Sequence, residues 1–266
     1  MKTIPRKISV KGSLFVKSLR LAKSNLNKAG MMVLFDALFL VSIFALYSLS
    51  DYFARSLAVG TAFASASVFI AFSLIYYLAA LLVYSFFKYS VLDYIKSLFD
   101  KTDFSFSRLG QFYSLNIIIA GIFFAAMLLF NLILAGIKQP YAPFAFIFMA
   151  IPYLLFLYAM VNVSHSLFYQ GASIKKSIKE GFRITFTRMG VYRDTVLVII
   201  FLALILWLLF IGSGYLVRFI GSKNYALYLT LYSYFRQASI IFFDITFYIA
   251  ILINRISFYS LSKEQI

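Results

Sequence analysis

The chain has 266 residues, of which 63% are hydrophobic and only 13% are charged, so it lacks the polar surface of a water-soluble domain, which is about 45–50% apolar and about 25% charged. It contains no cysteine and one histidine, which excludes disulfides, thiolate metal sites, thiol catalysis and sites built from several histidines. The net charge of +16 in so apolar a chain indicates contact with anionic lipid headgroups rather than with nucleic acid.

Six apolar runs approach or exceed the roughly 20 residues that cross a bilayer as a helix. They extend approximately over Met31 to Ser50, Thr61 to Phe87, Phe112 to Ile137, Tyr141 to Tyr169, Thr195 to Ile220 and Gln237 to Ser260. Only helices and closed barrels satisfy their backbone groups in lipid, and these runs do not alternate, so helices are favoured. We therefore expect an all-α polytopic membrane protein in which residues 1–266 form a single transmembrane domain.

A basic residue two positions before a glycine recurs at intervals of 80 residues, each time just before an odd-numbered span. The three copies are Lys28-Ala29-Gly30, Arg108-Leu109-Gly110 and Arg188-Met189-Gly190. The even-numbered spans end in similar triplets, Ser85-Phe86-Phe87, Ser166-Leu167-Phe168 and Ser257-Phe258-Tyr259. Equal spacing and matching ends predict three internal repeats, at about residues 13–87, 90–168 and 173–260, each containing one helical hairpin.

An amphipathic stretch precedes each hairpin. Its apolar positions are Phe15, Leu19, Ala22 and Leu26 in the first repeat, Val91, Ile95 and Leu98 in the second, and Ile174, Ile178 and Phe182 in the third. Helices with one apolar and one polar, basic face lie in the headgroup layer. We expect three cytoplasmic interfacial helices, each joined to its hairpin at a glycine corner where the chain turns into the membrane.

Lysine and arginine are distributed unequally between the two sides of the predicted spans. The side that holds both chain ends carries 20 of them, and the other side carries five. The larger group includes Lys88, which follows the predicted end of the second span at Phe87. Because the side rich in Lys and Arg stays in the cytoplasm, we expect both termini to be cytoplasmic and the protein to reside in the cell membrane.

Ionisable groups at membrane depth are costly, so each is a candidate for function. One helical face of the last span carries polar residues at steps of seven, four and seven, namely Gln237, Asp244, Tyr248 and Arg255. Asp244 is the strongest candidate, and we expect it inside the bundle with a hydrogen-bond partner on the third span, Asn131 in preference to Asn116. Either a structural polar seam or a substrate pathway explains this face.

A second polar stripe lies on the fourth span and consists of Tyr158, Asn162, His165 and Tyr169. His165 is predicted to be a hydrogen-bonded interface residue, with a proton relay as the alternative. Asp36 lies about 9 Å into the first span and needs a partner, for which Arg255 and His165 are the candidates. Asp36, Asn162 and His165 therefore join the last-span residues in one candidate intramembrane polar site.

Three functions fit this sequence. The preferred one is a non-enzymatic subunit or scaffold of a membrane complex, which contacts protein partners and anionic lipid through its interfacial helices. The second is a transporter or permease for a small substrate, which uses the polar face of the last span. The third is an intramembrane enzyme acting on lipid, which needs an acid–base constellation from Asp36, His165 and Arg255. No cofactor, metal or nucleic acid is expected.

The topology is tested with single cysteines, because the chain has none of its own. Cysteine at Lys138 or Lys223 is expected to react with a membrane-impermeant maleimide in whole cells. Cysteine at Ser9 or Lys176 is expected to react only after the membrane has been opened. Labelling is measured as a mass shift on a gel, and the reverse pattern would contradict cytoplasmic termini.

Overall fold

A computed structural model of the chain describes residues 13–59, 66–102, 104–187, 189–222 and 224–263. Within these ranges the chain forms eight α-helices: α1 (Leu14–Ser24), α2 (Leu26–Val59), α3 (Ala66–Ser97), α4 (Phe106–Ala135), α5 (Ala142–Tyr169), α6 (Ile174–Thr187), α7 (Met189–Gly221) and α8 (Tyr225–Lys263). All of these except α1 and α6 are long and apolar enough to cross a membrane. The all-helical class and six apolar spans are therefore confirmed, and they are consistent with a multi-pass membrane protein. Thr61, the predicted start of the second span, and Arg188, the third basic residue of the repeat, lie outside the described residues.

The chain enters α2 and α4 at polar residues and not at the glycines of the repeat. Asn25 separates α1 from α2 with a non-helical backbone (φ −132°, ψ 53°). The Ser105 hydroxyl caps α4 by accepting a hydrogen bond from the Arg108 N–H at 3.5 Å. Gly30 and Gly110 lie one turn inside α2 and α4, where a Cβ atom would meet nothing within 4 Å. The predicted glycine corner is therefore wrong for Gly30 and Gly110, because polar residues outside α2 and α4 already provide the turn.

Of the three predicted amphipathic stretches, the first and the third form separate helices, whereas the second does not. A single residue separates α1 from α2, and α6 follows Gly171, which adopts φ 110°. The second stretch instead continues α3 to Ser97, since no glycine or proline between Phe87 and Ser97 interrupts the helix. The prediction of a separate interfacial helix before α4 is therefore wrong, and Val91 and Ile95 are buried in the last turns of α3.

Three helices, α3, α5 and α8, contact one another and form the centre of the bundle. Around them α2 packs on α3, α4 on α3 and α5, and α7 on α8, while α1 packs on α7 and α8, and α6 on α5. The largest fully buried side chains lie near the ends of the three central helices and the starts of α2 and α4, and include Ile95, Phe112, Phe168 and Tyr259. We name this region, together with α1 and α6, the packed end.

Away from the packed end, the six long helices expose most of their apolar side chains. In the most apolar 18-residue window of each helix, at most 22% of the residues are buried. Lipid offers no hydrophobic gain for bringing such surfaces together. Acyl chains rather than protein are therefore expected to cover them.

Two basic residues of the predicted repeat, Lys28 and Arg108, each bind the last turn of a central helix. Lys28 donates to the carbonyl of Ser97, the last residue of α3. Arg108 donates from Nη2 to the carbonyl of Phe168 at 3.1 Å, at the end of α5. The final carbonyls of a helix lack intrahelical donors and carry partial negative charge. These contacts therefore tie α2 to α3 and α4 to α5.

The helix α6 approaches α5 closely at Gly181. A Cβ atom at this position would lie 2.0 Å from the Ser164 Oγ and 3.3 Å from the Ser164 Cα. Gly181 is buried together with Ser177, Ile184 and Thr185 of the same helix. The absence of a side chain at residue 181 therefore sets the distance between these two helices.

Gly181→Ala is expected to lower the thermal stability of the detergent-solubilised protein, because the added methyl group displaces Ser164. Overpacking of this kind costs about 1–3 kcal/mol. Gly110→Ala is the matched control, since it lies in a helix with open space around it and alanine favours a helix over glycine by about 1 kcal/mol. Opposite shifts in melting temperature are expected. A Gly181→Ala protein as stable as the Gly110→Ala protein would contradict the close approach.

Candidate functional site

Asp36 of α2 is held by two residues of α8. The Arg255 Nη1 lies 2.6 Å from the Asp36 Oδ2, and the Tyr248 hydroxyl donates to the same oxygen at 2.7 Å. The side chains of Arg255 and Asp36 are only 20% and 17% exposed. Arg255 is thus one of the two partners expected for Asp36, and Tyr248, on the same face of α8, completes the contact.

Lys88 and Asn162 form a second contact beside this ion pair. The Lys88 Nζ donates to the Asn162 Oδ1 at 3.0 Å, and the Asn162 Nδ2 donates to the Tyr158 carbonyl at 2.8 Å. Asn254 of α8 donates from Nδ2 to the Tyr158 hydroxyl at 3.2 Å. These bonds link α3, α5 and α8. In the described part of the chain no carboxylate lies within ion-pair distance of Lys88.

His165 is fully buried in a separate chain of hydrogen bonds. Its Nε2 lies 2.7 Å from the Asn116 Oδ1, and the Asn116 Nδ2 donates to the Ser85 Oγ at 2.9 Å. The Ser85 hydroxyl donates to the Leu81 carbonyl at 2.6 Å, so its oxygen can only accept from Asn116. The amide oxygen then faces His165, whose Nε2 must carry a hydrogen. His165 therefore links α5 to α4 and, through Asn116, to α3.

Asp244 does not enter the bundle. Its side chain is exposed, as is that of Gln237, and among the described residues Asp244 makes no hydrogen bond or ion pair. It lies eleven residues before Arg255, about 16 Å along α8, beyond the level of the buried α8 residues. The structure therefore corrects the expected interior position. The expected partners lie elsewhere, since Asn116 belongs to the buried chain described above and Asn131 is exposed.

The ion pair and Lys88 face a common cavity of about 370 Å³. The polar part of its lining consists of Asp36, Tyr84, Lys88, Tyr158, Asn162 and Arg255, and the rest is apolar. Three predicted site residues, Asp36, Asn162 and Arg255, are thus brought together. The remaining four, Gln237, Asp244, Tyr248 and His165, do not line this cavity, although Tyr248 bonds to Asp36.

The sequence-based site omits Lys88 and Tyr84. Lys88 directly follows the last apolar residue of its run, Phe87, and therefore resembles a charge outside the membrane. The structure places it nine residues before the end of α3 at Ser97, about 14 Å along the helix axis. Two signals were available to find it. The sequence after Phe87 contains no helix breaker, and the four-residue step from Tyr84 to Lys88 puts both side chains on one helical face.

Neither a metal-binding cluster in the described part of the chain nor a similarity to known proteins indicates what the site binds. Among the described residues, no three His, Asp or Glu side chains come together as metal ligands would. Comparison with protein-family models, with curated proteins and with solved structures finds no match for the chain. The function is therefore argued from the cavity and from the packed end.

Arg255→Gln is expected to destabilise the protein, because it leaves the partly buried Asp36 carboxylate without its cation. Removing one partner of a buried ion pair costs up to about 3–5 kcal/mol, and Asp36→Asn combined with Arg255→Gln should recover much of that loss. Arg55→Gln is the control, since the side chains of the Arg55–Asp51 pair are 79% and 42% exposed and exposed pairs contribute about 0–1 kcal/mol. Melting temperatures in detergent measure the differences. If the double variant is as unstable as Arg255→Gln alone, Arg255 does not stabilise the fold by neutralising the charge of Asp36.

Proposed function

We propose that the protein is a non-enzymatic multi-pass protein of the cell membrane that serves as a subunit or scaffold of a membrane complex. The surface of the packed end carries this proposal. The helices α1 and α6 present exposed basic side chains there, namely Lys17, Arg20, Lys23, Lys175, Lys176, Lys179 and Arg183. A surface of this charge attracts anionic lipid headgroups and acidic segments of protein partners.

Both basic helices are anchored to the central helices. The buried residues of α1 are Leu14, Phe15, Ser18 and Ala22, and the hydroxyls of Ser18 and of Ser257 in α8 are hydrogen-bonded to each other at 3.0 Å. The helix α6 is held against α5 at Gly181. A surface that is already ordered loses little conformational freedom when a partner binds, which favours a docking role.

We place α1 and α6 in the cytoplasmic headgroup layer. On α6, Phe182 and Phe186 contact the Phe156 ring of α5, with ring centroids 5.0 and 4.7 Å away, so an aromatic face lies beside a span while the lysines stay exposed. The excess of Lys and Arg on this side supports a cytoplasmic position. Because of the same excess of Lys and Arg, we propose that both termini are cytoplasmic.

We also retain the three repeats as a proposal, and the packing of α1 and α6 supports it. The helix α6, which precedes the third hairpin, packs on α5, the second span of the preceding hairpin. The helix α1, which precedes the first hairpin, packs on α8, the last span of all. If the three repeats form a ring, in which the third repeat is followed by the first, each of these two helices packs on the second span of the repeat before its own. The equivalent bonds of Lys28 to the end of α3 and of Arg108 to the end of α5 also support the repeats.

The geometry of the site does not favour the intramembrane enzyme. Asp36 and Arg255 neutralise each other, whereas His165 belongs to a different and fully buried set of hydrogen bonds. An acid and a base that act on one substrate must reach the same atoms. These three residues therefore do not assemble the required constellation.

A permease for a small substrate is the second candidate, and the cavity favours it. The lining includes Arg255, on the polar face of the last span, as this hypothesis requires. Asp244 lies on the exposed surface of α8 instead. Any substrate contact at this site would therefore involve Asp36, Lys88 and Arg255.

Site-specific crosslinking in native membranes tests the scaffold proposal. A single cysteine in place of Lys176 is coupled to a photoreactive maleimide, and we expect a discrete heavier species that contains a second protein. Cysteine in place of Lys138, which is also exposed but lies at the opposite end of the bundle, is the matched control and should not give that species. Mass spectrometry of the adduct identifies the partner. If Lys176 gives no protein adduct while the purified chain moves a solute into proteoliposomes, the scaffold is excluded and the permease is selected.

A further inference from the structure

We propose that Lys88 and Arg255 form a binding site for a phosphate group in the cavity between α2, α3, α5 and α8. This site is separate from the basic surface of α1 and α6, so it does not depend on the scaffold proposal. The cavity volume of about 370 Å³ falls within the roughly 300–1,000 Å³ of small-ligand sites.

The charges that face this cavity do not balance. Asp36 is the one carboxylate in the described lining, and it already accepts from Arg255 at 2.6 Å and from Tyr248 at 2.7 Å. Lys88 bonds to the neutral amide of Asn162. One positive charge is therefore left without a counter-charge beside an apolar wall, where an unpaired charge is costly.

Several hydrogen-bond donors of the residues that line the cavity are also unused. An ammonium group has three N–H donors, of which Lys88 uses one on Asn162. The Tyr158 hydroxyl accepts from Asn254, which leaves its own hydrogen free to donate. Tyr84 also lines the cavity, and within the described ranges of the chain its hydroxyl makes no hydrogen bond. A ligand that complements this lining must therefore bring negative charge and several acceptor oxygens.

Phosphate has both properties, since its oxygens accept several charge-assisted hydrogen bonds at once. The remaining wall includes Phe39, Phe87, Leu154, Leu157 and Val161, which suits the apolar part of an amphiphile. The same phosphate chemistry is offered by an anionic lipid headgroup and by a soluble phosphate, and the experiment separates these two sources.

Thermal unfolding of the full chain in a neutral detergent tests the site. Mixed micelles containing dioleoyl phosphatidic acid are expected to raise the melting temperature by about 5 °C over micelles with dioleoylglycerol, because binding to the folded state adds stability. Inorganic phosphate without lipid is the second arm. A rise with the lipid alone identifies the headgroup as the source, and an equal rise with inorganic phosphate identifies a soluble ligand.

Two variants assign the effect to this cavity. Lys88→Met should abolish the rise, whereas Lys138→Met, at an exposed lysine of the opposite end, should keep it. Asn162→Asp places a carboxylate where the amide oxygen now lies, 3.0 Å from the Lys88 Nζ. The new carboxylate neutralises the charge of Lys88 and should also abolish the rise in melting temperature. This variant tests the site even if Lys88→Met does not fold. A wild-type melting temperature that neither ligand moves, or a rise that persists in Asn162→Asp, overturns the proposal.

Discussion

The contacts among α3, α5 and α8 at the packed end hold the described helices of this protein together. Lipid supplies no hydrophobic drive for helix association, so close packing and polar bonds must hold the helices together. Such bonds concentrate here, where Tyr169 donates to Asp93 and Gln170 donates to the Ser262 Oγ at 2.8 Å. The core, the anchoring of α1 and α6, and the polar cavity all lie next to this meeting point. Farther along the helices, apolar side chains face outward because nothing draws them together.

The number of long helices and their approximate places in the chain could be predicted because an apolar run of about 20 residues has no other stable arrangement in lipid. The predicted start of the last span at Gln237 was wrong, since α8 begins at Tyr225. Two of the three amphipathic stretches do form separate helices, α1 and α6, but Leu26, which was assigned to the apolar face of the first stretch, belongs to α2 and is exposed. The end of α3 could not be predicted. Hydropathy marks where the apolar run stops, at Phe87, but the helix continues to Ser97 because its later apolar side chains are buried by neighbouring helices and not by lipid.

Part of the site was also within reach of the sequence. Asp36 and Arg255 have opposite charges at similar depth, and in lipid each needs the other. For Lys88 and Asp244 the prediction of burial from the sequence was wrong, in opposite directions. A lysine at the end of an apolar run resembles a charge in water, and only the packing of α3 against α5 shows that it faces a cavity. An aspartate inside an apolar run suggests a buried site, but the packed end does not extend as far as Asp244.

The contact between α1 and α8 has a consequence for the order of events during synthesis. Ser18 and Ser257 are 239 positions apart in the chain, and Asp36 and Arg255 are 219 apart. At about 5–20 residues per second, roughly 10–50 s of translation separate the members of each pair. During that interval the apolar face of α1 has no α8 to cover it, and Asp36 enters the membrane before its arginine exists. Until the last span is inserted, the lipid surface or the insertion machinery must cover the apolar face of α1 and stabilise the unpaired Asp36.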